Sequence, residues 1–154
     1  MDKGEFITDP SGRVFRVMEY VDSYASTEQA EHAKAVYTRI KESGYPESYA
    51  VVALLHDSLE DGYATKRELA DWLNVSETEL VALGFLTRRA DQDYVEYIHA
   101  LKRNDMARAV KYADLYVNIK RCIDDLDSRY SLVGRYIGAW SILKHYEHKL
   151  NKFK

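Results

Sequence analysis

Apolar residues recur at helical spacing through most of the chain, and β-branched runs are short. Val14, Val17, Met18 and Val21 mark one face of a helix over 13–24. Ser26 and Thr27 can cap the next helix, with Gln29 completing a capping box. Ala33, Val36, Tyr37 and Ile40 form its apolar stripe, and Gly44 stops it. Pro46 suits the first turn of a third helix, where a missing N–H costs nothing. From Tyr49 to Leu55 that helix is apolar nearly all round, so it should be central and buried, running on to Gly62.

Two further capping boxes follow, Thr65 with Glu68 and Ser76 with Glu79. The first opens a short helix to Leu73, the second a helix through Leu80, Leu83 and Phe85. A helix over 91–102 carries Tyr94, Tyr97, Ile98 and Leu101 on one side. Asn104 and Asp105 cap the next, from 106 to 121, with Ala109, Val110, Ala113, Val117 and Ile119 as its apolar positions. Asp127 and Ser128 cap a last helix to Lys149, with Leu132, Ile137, Trp140, Leu143 and Tyr146 facing in. Residues 1–11 read as a lead-in with a turn at 9–12. No repeat or linker interrupts the pattern, which predicts an all-α, single-domain bundle of seven to eight helices over residues 1–154.

Composition changes this picture little. The net charge of −3 argues against a general grip on nucleic acid or an anionic membrane. Cys122 is the only cysteine, which rules out an intrachain disulfide and a cysteine-built zinc site. No window approaches the ~18 apolar residues that span a bilayer, and the first six residues lack a signal-peptide core. A reducing cytoplasm is the expected location. Thirteen tyrosines fit the margins of a thin helical core as amphipathic packing residues.

The chemistry gathers where the buried helix ends. His56, Asp57, Glu60 and Asp61 arrive within six positions of an apolar run. On a continuing helix, His56 lies over Glu60 and Asp57 over Asp61. Buried charge of this density needs compensation, and a bound cation is one form of it. His32 stands on the preceding helix, and Asp114 midway along a later one whose same-side neighbours are Lys111, Asn118 and Arg121. Packing of the three helices lets His32, His56, Asp57 and Asp114 converge on one ion. Two imidazoles and two carboxylates suit a borderline divalent metal, manganese first, with zinc, iron or cobalt as alternatives.

The order His, His-Asp, Asp resembles that of the HD superfamily of metal-dependent phosphohydrolases. The block Leu54-Leu-His-Asp-Ser-Leu-Glu-Asp61, with Val110-Lys-Tyr-Ala-Asp-Leu-Tyr-Val-Asn118, resembles the hydrolase domain of RelA/SpoT-type proteins. Leu86-Thr87 is similar to that family's Val-Thr step between the two blocks, and the likeness covers roughly residues 28–145. The resemblance implies an enzyme that hydrolyses a nucleotide or related small phosphoester, (p)ppGpp-like ones included. It implies His32, His56, Asp57 and Asp114 as metal ligands, Glu60 and Asp61 as the pair that positions or activates water, and Asn118 and Lys111 as substrate-side residues. The family's basic, glycine-containing loop before the first histidine is replaced here by the acidic stretch Ser23 to Glu31, and its following proline by Ala33.

Two other classes of function compete. Residues 65–83 read like a helix-turn-helix, but the second helix opens with Glu77 and Glu79, which repel phosphates, so nucleic acid is not the expected partner. A catalytically inactive HD module kept for binding or regulation is the other, and the full ligand set with an intact Glu60-Asp61 pair weighs against it.

Overall fold

Helix α3, Glu47–Leu55, is the pin of the structure, a computed structural model that describes residues 11–124 and 130–150, save the side chains of 130–133 and 145–150. Every residue from Tyr49 to Leu55 is buried, and Val51 to Leu55 have no exposed surface. Such a helix has no polar face to turn to water and must be enclosed. Four helices enclose it: α1 (Arg13–Tyr24), α2 (Thr27–Glu42), α5 (Glu77–Phe85) and α7 (Asp105–Asp124). Burying Leu54 or Leu55 contributes about 1.5–3 kcal/mol each by transfer. Helix α4 (Lys66–Leu73) leans on α1, α6 (Tyr94–Leu101) bridges α5 and α8, and α8 (Tyr130–Leu150) lies along α7.

The described residues are all-helical, with eight helices and no strand. The three capping boxes form as expected: Ser26, Thr65 and Ser76 each accept from the amide of Gln29, Glu68 and Glu79, whose side chains return to the cap N–H. Asn74 ends α4 at φ 58, a left-handed position that asparagine tolerates. Asn104 Oδ1 accepts from Ala107 N at 2.9 Å and so starts α7. Helix α6 begins at Tyr94, later than expected, because the Asp93 carboxylate captures the amides of Val95 and Glu96. The cap assigned to Asp127 and Ser128, the 1–10 lead-in and the side chains of Leu132 and Tyr146 lie outside the described residues. Of the inward positions expected on α8, Leu143 is buried and Trp140 half-buried, while Ile137 is 45% exposed.

The expected run of α3 to Gly62 is the main correction. The helix stops at Leu55, and residues 56–62 form a chain of turns. Side chains take the carbonyls that the next turn would need: His56 Nδ1 donates to Ala53 O at 2.7 Å and Ser58 Oγ to Leu55 O at 2.7 Å. The backbone tightens to three-residue bonds, Ser58 N to Leu55 O at 2.9 Å, and the segment closes at Gly62 with φ 77. A further helical turn would also have lined up three carboxylates at the negative end of the helix dipole. His56 therefore does not sit over Glu60.

Candidate metal centre

The turn after α3 places His56 at the floor of a cluster whose walls are α2 and α7. His56 is 3% exposed. Its Nδ1 donates to Ala53 O, and among the described residues its buried Nε2 has no hydrogen-bond partner. Asp57 Oδ2 lies 3.1 Å from it and Asp114 Oδ1 3.6 Å, at ion-pair distance but outside hydrogen-bond geometry. Across the cluster, His32 Nε2 is 2.7 Å from Asp114 Oδ1, and the two imidazole rings are 5.2 Å apart. One ligand atom from each of His32, His56 and Asp57 falls within 4.8 Å of the others.

Asp114 is the hub on α7. Its Oδ2 receives Lys111 Nζ at 2.9 Å, one turn back, and its Oδ1 receives Asn118 Nδ2 at 3.1 Å, one turn on. Lys111, Asp114, Asn118 and Arg121 share a face through their helical spacing. Arg121 completes it, with Nη2 3.1 Å from His32 Nδ1. A guanidinium only donates, so this His32 nitrogen accepts and the proton lies on Nε2, directed at Asp114.

The charges are interlocked. Burial alone would lower the His56 pKa, but Asp57 and Asp114 outweigh it and hold the imidazole well above its ordinary value. Burial would raise Asp114, yet Lys111 and the two histidines keep it well below the usual carboxylate range; burial would raise Asp57 too, and His56 lowers it instead. Burial would lower Lys111, and Asp114 pushes it up instead. A cluster that favours imidazolium between two carboxylates has the electrostatics of a cation site.

The acidic pair parts company. Glu60 Oε1 accepts the Arg88 backbone N–H at 2.8 Å, so it ties the turn to the segment after α5. Asp61 Oδ2 accepts from Gln29 Nε2 at 3.3 Å, and burial together with Asp57 and Glu60 raises its pKa. Asp57 and Asp61 stay linked through Asp61 N to Asp57 O at 2.8 Å. The expectation that Glu60 holds a water from one helical turn beyond His56 is therefore corrected in its geometry: Glu60 reaches away along the turn.

A cavity of about 300 Å³ opens over the cluster, lined by His32, Asp57, Asp114, Lys111, Asn118, Arg121, Tyr94, Arg135 and Tyr136. Tyr94 has a buried hydroxyl with no partner among the described residues, and the Arg135 guanidinium lies 3.8 Å from the centre of its ring. Arg121 was legible on α7 by spacing, though with no role. Arg135, Tyr94 and Tyr136 carry no motif, because only the packing of α6 and α8 on α7 brings them to the mouth.

The helix-turn-helix stretch sends Leu69, Leu73, Val75, Ala82 and Leu83 into the core and leaves Trp72 and Val81 exposed. Glu79 is 1% exposed and takes a bidentate bond from Arg13, at 2.9 and 2.6 Å. The start of α5 is thus docked on α1, and only Glu77 of its first-turn acids is exposed. No helix among the described residues is long and apolar enough to cross a membrane.

The fold and cluster define a class: an all-helical protein with a buried His/Asp group able to hold a metal ion. No family model matches this sequence, and neither does any curated protein.

Proposed function

We propose that this protein is an HD-type, metal-dependent phosphohydrolase acting on a nucleotide or related small phosphoester. The observation that carries the reading is His56. Its Nδ1 is fixed by Ala53 O, and its buried Nε2 faces Asp57, Asp114 and His32 with no hydrogen-bond partner among the described residues. A metal-ligating imidazole usually has its second nitrogen fixed in this way, donating to a carbonyl or carboxylate. The donor set of two imidazoles and two carboxylates suits manganese, zinc, iron or cobalt, and we favour manganese.

His32, His56, Asp57 and Asp114 would hold the ion. When bound there, a divalent cation offers a Lewis acid to a phosphoryl oxygen and lowers the pKa of water towards about 7. The chain's own residues do the rest. Asp61 lies on the turn beside Asp57 and accepts a proton from the attacking water, while Glu60 pins the segment at Arg88. Asn118 is held by Asp114 at the cavity wall and orients the substrate. Lys111 neutralises Asp114 and faces the same cavity. The cationic lining of Lys111, Arg121 and Arg135 supports an anionic substrate.

Elemental analysis beside a metal-dependent hydrolysis screen tests this. About one equivalent of metal per chain, lost in His56→Ala together with hydrolysis of a nucleotide phosphoester, is the expected result. Failure to take up any divalent metal after reconstitution with manganese overturns the reading.

A further inference from the structure

The position of Arg121 fits poorly with a static metal site. Its Nη2 is 3.1 Å from His32 Nδ1. For His32 to ligate through Nε2, that nitrogen must give up its proton, and the neutral ring then carries its hydrogen on Nδ1. An Nδ1–H needs an acceptor, and a guanidinium has none to offer. The Arg121 contact and Nε2 ligation are therefore mutually exclusive. The Arg121 charge beside the ring opposes a divalent cation as well.

Arg121 also has somewhere to go. Its side chain lines the 300 Å³ cavity over the cluster and a second one of about 600 Å³ between α2 and α7. The first holds Lys111 and Arg135 as well, beside Asp57 and Asp114; the second sets Arg39 and Lys120 among Glu42 and Asp124. Among the described residues, the polar partner recorded for Arg121 is an imidazole nitrogen and not a carboxylate. A planar fork with most of its donors uncommitted among the described residues, lining the cavity that also holds Lys111 and Arg135, suits a tetrahedral dianion bound through two parallel hydrogen bonds.

We propose that Arg121 is an anion-binding residue that alternates between His32 and a tetrahedral oxyanion, so that anion and divalent cation bind with positive coupling. An anion draws the guanidinium off His32 Nδ1. The ring then shifts its proton to Nδ1 and presents Nε2 to the cation. By linkage, the cation strengthens anion binding by the same factor. This rests on the metal centre named above, and it assigns to Arg121 a role that neither the ligand set nor the acidic pair supplies.

Calorimetric titration of the chelator-treated full chain with Mn²⁺ tests it, using sulfate as the anion probe at matched ionic strength. In the wild type, sulfate should tighten Mn²⁺ binding by roughly 5- to 150-fold, the usual span of such coupling. Arg121→Gln removes the charge and supplies an acceptor for Nδ1–H. It should bind Mn²⁺ about tenfold or more tightly without sulfate, and sulfate should no longer change that affinity. Imidazole ¹⁵N spectra give a readout independent of affinity: His32 should carry its proton on Nε2 in the wild type and shift towards Nδ1 in the variant. Circular dichroism checks the fold, and Arg121→Ala serves as a second variant without the charge.

Mn²⁺ affinity in Arg121→Gln equal to or weaker than wild type overturns the proposal, as does sulfate coupling that survives the substitution or is absent from the wild type. In those cases the wild type still binds metal and the hydrolase reading stands. Absence of Mn²⁺ binding in wild type and variants alike brings down both.

Discussion

The Lys111–Asp114 pair offers a test whose size can be worked from the structure. Both side chains are nearly enclosed, 14% and 6% exposed, with nitrogen and oxygen 2.9 Å apart. Removing one partner of a buried pair costs about 3–5 kcal/mol, because the other charge is left desolvated. Asp114→Asn strands the Lys111 ammonium, which keeps the Tyr97 ring 5.5 Å away and Tyr94 as neutral neighbours. About 3 kcal/mol is expected for that change, or a fall in Tm of roughly 6–12 °C at ~2–4 °C per kcal/mol for a chain of this size. Lys111→Met should cost less, since Asp114 keeps His32 and Asn118. The double variant removes both charges, and it should be more stable than the sum of the singles by about 1–3 kcal/mol. The assay is thermal unfolding of the four proteins after chelator treatment, followed by manganese content. Lys111→Met should retain metal and Asp114→Asn should lose it. Strict additivity in the cycle would refute the reasoning, because it would mean that the two charges do not stabilise one another.

Three further outcomes are expected. Glu79 has its carboxyl held below the usual range, since the Arg13 fork and the Ser76 amide outweigh burial. A depressed folded pKa stabilises in full above the unfolded value of ~4.3, and that stability is lost as pH falls through the lower folded value. Thermal scans should therefore show Glu79→Gln well below wild type at pH 6 and converging with it towards pH 3; a constant gap would be evidence against this linkage. Asp61→Asn keeps an oxygen for the Gln29 amide, so it should retain metal and fold while turnover drops by ~10²-fold or more, and wild-type turnover would remove Asp61 from the chemistry. Leu54→Ala opens a hole in the fully enclosed α3 and should cost about 2–5 kcal/mol by denaturant titration.

The helices were legible because their signals are local. The Ser26, Thr65 and Ser76 capping boxes involve residues three apart, and the apolar periodicity of α1, α2 and α7 needs no knowledge of the partner helix. The uniform apolarity of Tyr49 to Leu55 likewise dictated a buried helix wherever it was placed. Candidate ligands could be named for a related reason: histidine and aspartate beside an apolar run are costly unless something compensates them.

Tertiary structure decided the rest. The end of α3 at Leu55 depends on His56 turning its Nδ1 to Ala53 O, a choice made by the acids packed around Nε2, and this sent Glu60 to Arg88 instead of over His56. The meeting of Asp114 with His32 and His56 was a conjecture about helix packing until α2, α3 and α7 were seen to touch. Arg135, Tyr94 and Tyr136 reached the cavity only through the way α6 and α8 sit on their neighbours. Periodicity fixes which face of a helix is buried, because burial is a property of each residue along its own axis. It is silent on which faces meet, because helix–helix contacts join residues far apart in sequence, and their energies exist only once the helices have packed.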